Sequence, residues 1–105
     1  PELPEPYNNL AVLFASRGEY DKARAALELS VGTRPNYATA HENLGDIHLR
    51  LALRAYERAQ QFDGANAATK ARIARLRELL AGRAPEGKAG TVTTPPEADT
   101  ARKRP

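Results

Sequence analysis

The chain has 105 residues and a net charge of +3, so one small domain with a modest core is the starting expectation. It contains no cysteine, which excludes disulfides, thiolate metal sites and cysteine nucleophiles. No run of about 18 apolar residues exists, so no segment is apolar enough to cross a membrane, and the charge drifts only mildly, from −1 over residues 1–35 to +2 over 36–81 and +2 over 82–105.

Ala, Leu, Arg and Glu dominate, and all are good helix formers. No stretch alternates β-branched or aromatic residues with polar ones, so strands are not expected. The chain opens at Pro1 without a methionine, which reads as a piece of a longer protein. Three prolines in residues 1–6 read as a lead-in, with helix beginning near Tyr7. Leu10, Ala11, Leu13 and Phe14 then recur at helical spacing, and Arg17-Gly18 breaks the run.

A second helix is expected over 19–31, with Tyr20, Ala23, Ala26 and Leu27 on its apolar stripe and Asp21 at the positive end of its dipole. Gly32 and Pro35 should stop it, and Asn36 is placed to cap the next helix. From there Ala40, Leu44, Ile47, Leu51, Ala55, Ala59 and Phe62 keep a three-and-four spacing over about seven turns. Asp63-Gly64 marks a turn, Asn66 can cap a last helix, and Ile73, Leu76, Leu79 and Leu80 line that helix up to Gly82. Residues 83–105 are basic and rich in proline, nearly without apolar side chains, and are expected to be a disordered tail. The folded domain is therefore placed at 1–82.

The chain also repeats itself. A shift of 34 residues lays Tyr7-Asn8-Asn9-Leu10-Ala11 on His41-Glu42-Asn43-Leu44-Gly45, and 34 is the period of one helix–turn–helix repeat class. Within residues 4–37, Tyr7, Leu10-Ala11, Phe14, Gly18, Tyr20, Ala23, Leu27, Ser30 and Pro35 stand in a pattern that resembles the tetratricopeptide repeat (TPR) closely. Such a pattern suits paired helices, because small residues let backbones approach and large ones fill the groove between them.

The second repeat departs from that pattern. It matches at a shift of 34 through Leu51, and then at a shift of 29: Ala23 falls on Ala52, Ala26 on Ala55, Glu28 on Glu57 and Pro35 on Gly64. The five missing residues are the turn. Nothing from His48 to Arg54 can make a tight reversal, so one helix should run through 36–62, roughly 40 Å long, in preference to the alternative of a short kinked turn near Ala52. The expected fold is all-α, a TPR-like helical hairpin with a long continuous third helix and a C-terminal helix.

The resemblance implies protein binding and no cofactor. TPR proteins hold extended peptides in a groove lined by the first helix of each repeat. Here that role would fall to Asn8, Val12, Ala15, Thr39, Glu42, Asn43, Asp46, Leu49 and Arg50. An even alternative is that Asn9 and Asn43 only tie adjacent helices together. The carboxylate clamp of some TPR domains fails, because Asn8 stands where a Lys is expected and Val12 where an Asn is expected. A straight third helix would also leave apolar residues of its far half without their usual partner helix. Leu51, Ala55, Tyr56, Ala59 and Phe62 are therefore candidates for pairing two copies into a homodimer, even if residues 66–81 fold back on them.

Other candidates carry less. His41 and His48 are about 10 Å apart along one helix face with no third ligand nearby, so they read as packing residues. Arg50, Arg54 and Arg58, with Lys70, Arg72, Arg75 and Arg77, could make a basic face, and a nucleic-acid-binding helical module is the second reading. Against it, Tyr56 alone interleaves with them, and it is expected to be buried. No phosphate loop, nucleophile elbow or zinc-protease pattern occurs, so an enzyme is not expected. The alanine- and arginine-rich composition looks bacterial, and cytoplasm and periplasm fit it equally.

Overall fold

Four helices in chain order make up the computed structural model, which describes residues 3–83. They are α1 (Pro4–Ser16), α2 (Tyr20–Thr33), α3 (Ala38–Phe62) and α4 (Ala67–Leu80). No strand occurs among the described residues. The expected tail, apart from Arg83, lies outside them.

The first helix starts earlier than the prolines suggested. Pro4 sits in its first turn, where backbone amides have no intrahelical acceptor and a missing N–H costs nothing. Its buried face is Pro4, Asn8, Ala11 and Ala15. Leu10 and Leu13, which recur at helical spacing with Ala11 and Phe14, are exposed. Alanines at the contact let α1 lie close on α2, whose own contact residues Ala23, Ala26 and Leu27 are buried. Between them, Gly18 takes a φ of 75°, a backbone region open to glycine at little cost.

Gly32 does not stop α2, because a glycine near a helix end costs only about 1 kcal/mol. The stop comes two residues later. Arg34 is extended at φ −145° and ψ 96°, as a residue preceding proline prefers. Asn36 does not cap α3 either; Tyr37 holds the cap position without a side-chain bond, because the Tyr37 amide closes a turn onto the Arg34 carbonyl and delays the helix.

The third helix is continuous over 25 residues, as expected from the missing corner. Its first half carries the buried Ala40 and Ile47 and the half-buried Leu44 and Leu51 into one core with Ala11, Ala15, Ala23, Ala26 and Leu27. Leu27, 1% exposed, is the largest side chain fully enclosed there, and such burial contributes about 1.5–3 kcal/mol. Past Leu51 the α1–α2 hairpin ends and α4 takes over. The short link after Phe62 turns the chain back, so α4 returns along the second half of α3. Asn66 caps α4, its Oδ1 accepting from the Thr69 amide at 3.0 Å, and Thr69, Ile73, Leu76 and Leu80 form the buried face. Leu79, placed on this face by spacing, is exposed.

Candidate protein-interaction surfaces

The groove residues are brought together on α1 and α3, but most of their polar groups are engaged within the chain. Asn8 is fully buried and its Oδ1 accepts from Asn43 Nδ2 at 2.9 Å. The pair ties the first helices of the two repeats, and the partner of Asn43 is Asn8 rather than the exposed Asn9. Asp46 is buried and paired with Arg83. Arg50 donates to the Arg83 carbonyl at 3.3 Å and lies over the Tyr20 ring at 5.9 Å. Val12, Thr39 and Leu49 are half-buried, Ala15 is buried, and Glu42 is exposed.

Arg83 is the residue that sequence reasoning missed. It belongs with the tail by composition, yet it closes the end of α4 onto the middle of α3. Only the register of α4 against α3 brings the two charges together, and no local pattern announces it.

The self-association candidates divide between two environments. Leu51 is half-buried in the hairpin core. Tyr56 turns toward α4, half-buried rather than buried as expected, with the Arg72 guanidinium 5.9 Å from its ring centre. Ala55, Ala59 and Phe62 are exposed, Phe62 by 83%. They continue the stripe that α1 and α2 cover further back, and no helix of the described chain covers them here.

Between α3 and α4 opens a cleft of about 440 Å³, lined by Ala52, Tyr56, Ala71, Arg72, Arg75 and Leu76. The remaining arginines do not make one basic face. Arg54 stacks on Tyr20 at 4.3 Å, and Arg77 donates to Glu57 at 2.9 Å on the opposite edge of α4. His41 and His48 are both exposed, so neither packs in the core; His41 Nε2 instead donates to the Pro35 carbonyl at 2.8 Å. Among the described residues no group of three His, Asp or Glu could hold a metal ion.

Tyr37 is half-buried, and its surroundings act on its hydroxyl. Burial first, and then the charge of Glu5, hold its hydroxyl above the ordinary tyrosine range, against smaller opposing effects of Thr39 and Arg34.

No protein-family model matches the chain, and no solved structure matches it. Among curated proteins it is similar to the tetratricopeptide repeat domain-containing protein PYG7, chloroplastic, of Arabidopsis thaliana, 35% identical over 84 residues that cover 75% of this chain and 28% of that protein. It is also similar to an Hsp70-Hsp90 organizing protein of Triticum aestivum, 33% identical over 94 residues that cover 82% of this chain and 16% of that protein. The chain thus spans less than a third of the length of either relative.

Proposed function

The chain is related to the tetratricopeptide repeat proteins, and from that relationship we propose a protein–protein interaction module that pairs with a second copy of itself through the far half of α3. The observation that carries the reading is the unbroken α3. Its apolar stripe is buried at Ala40 and Ile47 and half-buried at Leu51, and then runs on exposed through Ala55, Ala59 and Phe62. An isolated exposed apolar residue is ordinary, and three on the continuation of a core stripe support the reading of a contact surface. The alanines let a second helix approach closely, and Phe62 supplies the large apolar area that anchors such contacts.

The wheat relative is named for organizing Hsp70 and Hsp90. The proposal does not extend to chaperone tails, because Asn8 and Val12 stand where a clamp needs Lys and Asn, and Asn8 is buried. Nucleic acid binding is disfavoured by the engagement of Arg50 and Arg54 with Tyr20, Arg77 with Glu57 and Arg83 with Asp46.

Light scattering on the full chain at high micromolar concentration tests the reading. A dimer mass is expected, little altered by salt because the contact is apolar. Phe62→Glu should return the monomer mass with helical circular dichroism unchanged. A monomeric wild-type chain, or a dimer indifferent to Phe62→Glu, would overturn it.

A further inference from the structure

The cleft between α3 and α4 lies on a different face from the stripe just described. Ala52 and Tyr56 each follow Leu51 and Ala55 by one residue, about 100° further round the helix. Its lining combines the buried Leu76, the half-buried Ala52 and the exposed Ala71 with Arg72, Arg75 and the Tyr56 ring. The volume of about 440 Å³ falls within the range of clefts that hold small ligands or anchoring side chains.

The charges along α4 are handled differently on its two edges. Arg77 faces Glu57 and is paired. Arg72 and Arg75 are exposed, and neither has a carboxylate within ion-pair distance among the described residues. Arg72 is steadied instead over Tyr56, a cation–π contact that orients a guanidinium without neutralising it. Two unneutralised guanidiniums three residues apart lie on neighbouring turns of one helix face. Each can grip a carboxylate by two parallel hydrogen bonds.

From this we infer that the α3–α4 cleft binds an acidic peptide segment, seating an aliphatic or aromatic side chain on Ala52, Ala71 and Leu76 while flanking carboxylates pair with Arg72 and Arg75. A polynucleotide fits the same cleft less well. Its apolar lining offers no platform of aromatic rings, and Tyr56, the single ring among the lining residues, is already faced by Arg72.

The experiment is a fluorescence anisotropy titration of the full chain against a labelled ten-residue peptide carrying a central leucine–phenylalanine pair flanked by glutamates. A glutamine counterpart and a single-stranded oligonucleotide serve as comparison probes. Saturable binding of the acidic peptide is expected, with the glutamine version weaker by about tenfold or more. Arg72→Gln and Arg75→Gln should each weaken it by about three- to tenfold, the span expected for a partly exposed charge-assisted hydrogen bond. Arg77→Gln, on the opposite edge, should leave it unchanged, and circular dichroism should report an intact fold for all three. Phe62→Glu separates the two surfaces, since it breaks pairing and leaves this binding in place. The inference is overturned if the acidic peptide does not saturate, if Arg72→Gln and Arg75→Gln bind like wild type, or if the oligonucleotide binds more tightly through the same two arginines with a steep salt dependence.

Discussion

Asn43 on α3 donates from Nδ2 to Asn8 Oδ1 on α1 at 2.9 Å, and neither residue is more than 3% exposed. This contact joins two helices otherwise held together mainly through α2.

Asn8→Ala removes the acceptor that Asn43 Nδ2 uses inside the fold, which costs about 2 kcal/mol. For a domain of this size that lowers the melting temperature by about 8–16 °C. Asn9→Ala, one residue along but exposed, should change stability by less than about 0.5 kcal/mol. Thermal melts of the two variants side by side would refute the assignment if their costs were equal.

Arg83 and Asp46 form the second long-range tie. The carboxylate is almost fully enclosed while the guanidinium is about half exposed, so loss of the cation leaves a buried charge without its ion pair. Arg83→Ala is expected to cost about 1–2 kcal/mol and to speed hydrogen exchange in the last turn of α4. Combined with Asp46→Asn, the two changes should be non-additive. A double-mutant cycle with coupling below about 0.3 kcal/mol would show that the contact does not hold α4 in place.

Tyr37 gives the fold an alkaline weakness. Its folded hydroxyl titrates above the ordinary tyrosine range because of burial and Glu5, so deprotonation is harder in the folded chain than in the unfolded one. The stabilisation is complete below about pH 10, the ordinary tyrosine value, and is lost as pH rises through the higher folded value. Urea midpoints for the wild type should therefore fall more steeply above about pH 10 than those of Tyr37→Phe. Parallel slopes would contradict this.

Much of the architecture was legible in order along the chain. The 34-residue shift pairing Tyr7 with His41, the drop to a shift of 29 beyond Leu51, and Asp63-Gly64 followed by Asn66 led to an all-helical repeat, a straight α3 and a capped α4. Those features are local, because periodicity and turn chemistry act within a few residues. Starts and stops were less legible. Pro4 could open a helix, Gly32 could stay inside one, and Asn36 could miss its cap, since each depends on which neighbouring backbone groups already have partners.

The residue pattern by itself determined that helices are the building block and that α3 cannot turn near Leu51, because no residue there tolerates the reversal. Only the tertiary structure decided which side of each helix faces inward. Leu10, Leu13 and Leu79 lie outside while Ala11 and Ala15 are enclosed, because close approach of backbones outweighs side-chain size. Only the tertiary structure paired Asn8 with Asn43 and Asp46 with Arg83, residues 35 and 37 positions apart. Such contacts arise from the register of one packed helix on another, and no short stretch of sequence encodes that register.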